Sequence, residues 1–239
     1  TLTGGGTTIL SAQMLGRSQL LLGGASAQYG NALGGIMDLR LRQGTNERRA
    51  YTAQAGLIGL DLSAEGPFRT GGKATYLANY RYSTLGLLSA AGVPLGDENI
   101  AFQDLAFTVH APLGERAELK LFAMAVYTLS QQVDADPAIN RDGRLAFKWG
   151  GELFYQPFAY AFVALRYDRV VLDVQDEASA LRIVSPRVGA TVNWLLGAQI
   201  FLQYSRYVYG ERVRLRPGQV ALETIPDTDV LKLQAQVSF

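Results

Sequence analysis

His110 is the only histidine of the chain and cysteine is absent. That removes thiolate zinc sites, thiol catalysis and disulfide frameworks together. A histidine acting as general base needs a carboxylate or hydroxyl within hydrogen-bond reach. Asp104 shares a segment with His110 but sits far along it, so His110 reads as a polar residue near a strand end. Asp134, Asp136, Asn140 and Asp142 crowd one stretch. Carboxylate oxygens of that kind suit calcium. Their spacing lacks the alternating ligands and closing glutamate of an EF-hand, and a solvated loop explains them as well; Asp97-Glu98-Asn99 is weaker still. Tyr29-Gly30 and Gly34-Gly35 lack the Lys-Ser/Thr of a phosphate loop. They read as backbone freedom where chain packs against a sheet. The expectation is no enzyme, no cofactor and no metal site.

Charged residues carry a second pattern. Arg144, Lys148 and Glu152 alternate with Leu145, Phe147, Trp149, Leu153 and Tyr155. Side chains of a strand point alternately to its two faces, so these form a polar face and an apolar face of one strand. Val184, Pro186, Val188, Ala190, Val192 and Trp194 oppose Arg187, Gly189, Thr191 and Asn193 in the same way. In the last nine residues Leu231, Leu233, Ala235, Val237 and Phe239 oppose Lys232, Gln234, Gln236 and Ser238. A terminal strand ending on a ring leaves a sheet edge that must be paired, and closing a barrel onto the first strand does so. Leu233, Val237 and Phe239 therefore read as a barrel-insertion signal. Arg144, Lys148, Glu152, Arg166, Arg187 and Lys232, with Glu118 and Lys120, would face a barrel interior, either as a salt-bridged polar core or as a path for anions. On a lipid face each would cost ~2–4 kcal/mol at the midplane.

The elements that position these residues are strands and turns. Residues 1–46 form one unit, irregular and glycine-punctuated, with a short strand at 36–41. After a polar break, residues 47–239 read as strands near 51–64, 73–83, 101–111, 118–130, 144–155, 160–174, 184–196, 198–215 and the C-terminus. Short turns at Pro112-Leu113-Gly114, Gln156-Pro157 and Gly197 alternate with long loops around Leu88, Asp136, Asp176 and Pro217. Long loops on one side and short turns on the other is the habit of outer-membrane barrels. Such barrels take an even number of strands, so eight or ten are expected. Tyr76, Tyr80, Tyr82, Tyr127, Trp149, Tyr155, Tyr160, Trp194, Tyr204, Tyr207 and Tyr209 would suit interfacial girdles, though soluble sandwiches also carry core rings. The fold class expected is all-β, an antiparallel transmembrane β-barrel of about eight to ten strands behind an N-terminal plug-like remnant.

Composition is compatible. Lys plus Arg total 22 and Asp plus Glu 21, leaving no basic field for nucleic acid. Apolar runs such as Leu20-Leu21-Leu22 fall short of the ~20 residues of a membrane helix. A mean hydropathy of +0.06 fits strands that hide hydrophobicity at alternate positions, and fits soluble proteins too. No secretory leader is visible, so the chain is expected to be mature or internal.

The stretch 27–42, with its Tyr29-Gly30 and Gly34-Gly35 leading into Ile36-Met37-Asp38-Leu39, resembles the end of the plug domain of TonB-dependent receptors. Ala55-Gly56-Leu57, Ala64-Glu65-Gly66-Pro67-Phe68, Tyr80-Arg81-Tyr82-Ser83-Thr84-Leu85 and Phe102-Gln103-Asp104-Leu105 resemble the first barrel strands of the Bacteroidetes-type subgroup. The likeness spans roughly residues 8 to 111. It implies energy-dependent uptake of siderophores, cobalamin, glycans or peptides through a plugged barrel of about 22 strands. Residues 47–239 cannot supply so many, since a spanning strand alone takes ~9–11 residues. The chain is therefore expected to be a fragment or an internally deleted relative. A barrel of eight strands has no room for a plug, so residues 1–46 either lie outside a small barrel or inside a wider one. The implied location is the bacterial outer membrane, and the implied partners are its lipid, the barrel-assembly machinery and other outer-membrane or periplasmic subunits. Two alternatives stand beside uptake: a small non-transporting barrel serving as a structural or assembly subunit, and a soluble β-barrel binding an apolar ligand.

Overall fold

The computed structural model describes residues 10–22, 35–56, 59–84, 92, 100–130, 144–174, 180–192, 198–210 and 226–236. After a 3₁₀ turn at Ala12–Met14, β1 (Gln19–Leu22) and β2 (Gly35–Asp38) form an antiparallel ribbon. Ten further strands follow: β3 (Ala50–Ala55), β4 (Gly59–Pro67), β5 (Thr75–Ser83), β6 (Ile100–Pro112), β7 (Ala117–Ser130), β8 (Arg144–Phe158), β9 (Ala161–Val171), β10 (Ala180–Val192), β11 (Ala198–Tyr209) and β12 (Thr228–Gln236). They make one antiparallel sheet in which every strand pairs with its chain neighbours, and β3 and β12 form the two edges.

Two expectations are corrected here. The stretch 51–64 is a hairpin, not one strand. Gly56 and Gly59 exchange backbone hydrogen bonds across the reversal, with N–H donors at 2.9 and 3.3 Å. At Gly59 a Cβ would lie 2.5 Å from the Tyr82 carbonyl oxygen, so the close approach to β5 there needs glycine. This hairpin raises the count from about nine to ten. The sheet is also not closed into a barrel: among the described residues β12 pairs with β11 alone and β3 with β4 alone. A free edge demands pairing but does not name its partner, which is where the expectation of closure overreached. Val237 and Phe239 lie outside the described residues.

Register shows why the strands hold their phase. On one face Leu119, Leu153, Leu165 and Pro186 stand directly opposite one another across β7 to β10. Beside them runs Tyr155, Val163, Val188, Leu202 and Leu233. This face is exposed: Leu105 and Leu165 at 52%, Val188 at 53%, Leu233 at 74%. The other face carries the buried side chains, most of them polar: Ser63, Thr75, Asn79, Asp104, Thr108, Asp168, Ser185 and Ser205. Slipping any strand by one residue would exchange the two faces. Among the described residues the buried apolar side chains are few: Met14, Leu77 and Ala106, with Met124 packed against them, and Ala164, Phe162 and Phe201, with Phe154 stacked on Phe162. Strands β6 to β11 have 11 to 15 residues. At ~3.3 Å per residue these strands extend roughly 36–50 Å.

Candidate functional site

The polar face is the candidate site, and it begins with one cross-strand row. Thr75 stands opposite His110, His110 opposite Lys120, Lys120 opposite Glu152, Glu152 opposite Arg166 and Arg166 opposite Ser185. The row continues to Ser205, whose hydroxyl lies 2.8 Å from that of Ser185. That bond spans the point where Pro186 offers no N–H to the ladder. Seven adjacent strands, β5 to β11, thus place a polar group side by side, with alternating charge at Lys120, Glu152 and Arg166.

Ion pairs knit the row to its neighbours. Arg166 Nε donates to Asp168 at 2.6 Å, and Arg187 Nη2 lies 3.4 Å from Glu152. Glu118 accepts from Lys120 at 2.5 Å and lies 3.0 Å from His110 Nε2. Arg81 forks onto Asp104, with Nε 3.0 and 2.9 Å from the two carboxylate oxygens. Arg187 also lies over the rings of Phe201 and Phe162, 5.3 and 5.9 Å from their centroids. The ring of Phe162 occupies the space where Gly189 has no side chain; a Cβ there would sit 2.3 Å from it. Glu152, Arg166, Asp168, Arg187, Gln203 and Tyr207 line a hollow of about 240 Å³. A larger depression of about 430 Å³ lies on the opposite face among Tyr51, Leu62, Tyr80 and Leu105, shallow and poor in groups that could orient a ligand.

The N-terminal segment is docked on this same polar face. Ser11 caps the 3₁₀ turn by accepting from the Gln13 amide and donates to Asp61 at 2.5 Å; Asn79 donates to the other Asp61 oxygen at 2.5 Å. Met14 and Leu77 are both wholly buried, one from each side of the contact. Arg42 binds Glu65 bidentately at 2.6 and 2.9 Å, its Nε donates to the Gln13 carbonyl, and the Thr45 amide also donates to Glu65. Gly44 passes so close to β5 that a Cβ would meet the Tyr76 carbonyl at 2.1 Å. Residues 10–16 and 42–45 thus lie against the polar face of the sheet, at β4 and β5.

Lys148, Glu152, Arg187 and Lys232 occupy polar-face positions, as do Glu118, Lys120 and Arg166. Arg144 pairs with Thr128 through its backbone in the same phase; its side chain lies outside the described residues. Leu233 is on the exposed apolar face. Gly35 opens β2 opposite Leu22. Tyr29, Gly30 and Gly34, and the acidic stretch from Asp134 to Asp142, lie outside the described residues. Asp61, Asp104, Asp168, Ser11, Arg42 and Glu65 were missed by sequence reasoning. Asp61, Glu65 and Asp104 meet partners from other segments, Ser11 and Arg42 lie outside the strands, and Asp168 pairs with Arg166 two residues before it on β9. The His110–Glu118 contact had a usable signal: the tight turn after Pro112 fixes the hairpin register and brings these two positions to one face.

Chemically, the arrangement offers paired charges and hydroxyls along a wall. His110 lies 3.0 Å from Glu118, and Thr75, directly opposite it, carries a buried hydroxyl with no hydrogen-bond partner; among the described residues no cluster of three or more His, Asp or Glu could hold a metal ion. No described helix is long and apolar enough to cross a membrane, which says nothing of strands. The chain matches no known protein family, no curated protein and no solved structure at a significant level.

Proposed function

We propose that this chain is part of a bacterial outer-membrane β-barrel of the TonB-dependent receptor kind, whose apolar sheet face meets lipid and whose polar face lines a lumen for nutrient uptake. The observation that carries this reading is the seating of residues 10–16 and 42–45 on the polar face, through Met14, the Ser11–Asp61 bond and the Arg42–Glu65 pair. A plug must do this, and a ten-stranded ring would leave it little room. Exposure of Leu105, Leu165, Val188 and Leu202 on the opposite face favours lipid contact over a soluble barrel that would turn those residues inward. Among the described residues both sheet edges are unpaired, which favours a wider barrel completed by further strands.

The same free edges support the second reading, a structural subunit whose edges pair with another outer-membrane protein. Two measurements separate the readings. After refolding into phosphatidylcholine vesicles, the protein should float with the lipid and migrate differently on a gel before and after boiling. Loss of flotation would discard both membrane readings. Uptake of a polar solute into vesicles or cells that carry the chain in its full-length context, lost when Arg42 and Glu65 are both replaced, separates transport from a purely structural role.

A further inference from the structure

The exposed apolar face is interrupted at one place. Arg169 on β9 stands directly opposite Arg182 on β10. Arg206 on β11 lies one strand further, opposite Val184. All three fall at the ends of their strands that lead into the long connections, just beyond Leu165, Tyr167, Val184 and Tyr204. Like charges directly opposed across an antiparallel pair repel, so the arrangement calls for an anion. Among the described residues, Asp227 lies 3.5 Å from Arg206, and Asp229, directly opposite Arg206 on β12, accepts from the Tyr204 hydroxyl at 2.7 Å, so both offset Arg206. Among the described residues no carboxylate pairs with Arg169 or Arg182, and Arg169 Nε is buried without a hydrogen-bond partner.

We infer that Arg169 and Arg182, flanked by Arg206, bind the phosphate of an anionic lipid headgroup. Guanidinium groups fork onto phosphate oxygens where a lysine would offer only a point charge. The acyl chains of such a lipid would run down the adjoining apolar rows, past Leu165, Val188 and Leu202. That continuity selects a lipid phosphate over free phosphate, because a soluble anion gains nothing from the rows below. The inference rests on the membrane reading above and adds a headgroup preference to it.

The test places the full chain in phosphatidylcholine vesicles containing a minority of spin-labelled phosphatidic acid and reads the fraction of label immobilised at the protein surface. The native chain should retain phosphatidic acid in preference to labelled phosphatidylcholine, and R169Q and R182Q should each lower that preference about fivefold, the weight of an exposed charge pair. R182K should keep part of it. Equal retention of both lipids by a protein that floats with the vesicles overturns the headgroup site and leaves the membrane reading intact. Failure to float overturns both. Displacement of the label by millimolar inorganic phosphate assigns the arginines to a soluble anion and also overturns the proposal.

Discussion

Glu65 receives three hydrogen bonds from the segment lying over it, two from the Arg42 guanidinium and one from the Thr45 amide. Neither side chain of the Arg42–Glu65 pair is more than a third exposed, so removing one partner strands the other in a poorly solvated place. Arg42→Leu should therefore weaken docking of residues 10–16 and 42–45 by about 2 kcal/mol. Hydrogen exchange should show faster exchange at the Gly16 and Arg42 amides, which bond across that segment, with the β7–β9 amides unchanged. At Gly189 the argument is steric. A methyl group there collides with the Phe162 ring, and Gly189→Ala should cost about 1–3 kcal/mol by denaturant titration. Combining it with Phe162→Leu should cost less than the sum of the two, because the second change vacates the space. Residue types alone foretold that Arg187 and Glu152 would share a face; they could not reveal the Phe162 ring over Gly189, which depends on two strands meeting in one register.

Strand parity was legible from alternation because each ribbon has one apolar and one polar side, and a period of two survives without knowledge of neighbours. The hairpin at Gly56 was missed although the outward face moves from Tyr51, Ala53 and Ala55 to Leu60, Leu62 and Ala64, a change of parity that one continuous strand cannot make; the hydrogen bonds between Gly56 and Gly59 declare the reversal. Pro157 was read as part of a turn, yet it lies in β8, where the register shifts between Tyr155 and Phe158. A bulge relieves a strand of the N–H that proline lacks. The orientation of the apolar rows makes the most direct prediction at this scale. Leu165, in mid-strand, and Leu113, in the turn between β6 and β7, are both 52% exposed. Leu165→Arg should destabilise the protein in a bilayer by ~2–4 kcal/mol, while Leu113→Arg should change it by less than ~0.5 kcal/mol. Equal, small effects at the two sites in vesicle unfolding titrations would contradict lipid contact at Leu165.

At the scale of the molecule the governing fact is a sheet with two free edges and an occupied polar face. A ring of ten strands would have to accommodate Met14 and its flanking chain where side chains already meet. Cysteines placed at Tyr51 on β3 and Leu231 on β12, which point to the same face at opposite edges, should not form a disulfide within one molecule under oxidising conditions in vesicles. A disulfide demands Cα atoms within ~7 Å, so its appearance by mass spectrometry would mean that the sheet closes on itself and that the docked segment fits a narrow barrel.

The amino-acid order alone determined which side chains share a face, that the chain is all-β, and that short turns alternate with long connections. These are local properties, set by a two-residue period and by the glycines and prolines that end each run. Tertiary structure decided which face is buried, that residues 10–16 and 42–45 lie against it, which acid meets which base, and that among the described residues β3 and β12 are the two edges of one sheet. Those outcomes depend on register between strands and on contacts across dozens of residues, such as Ser11 with Asp61 and Arg42 with Glu65, and no repeat along the chain encodes them.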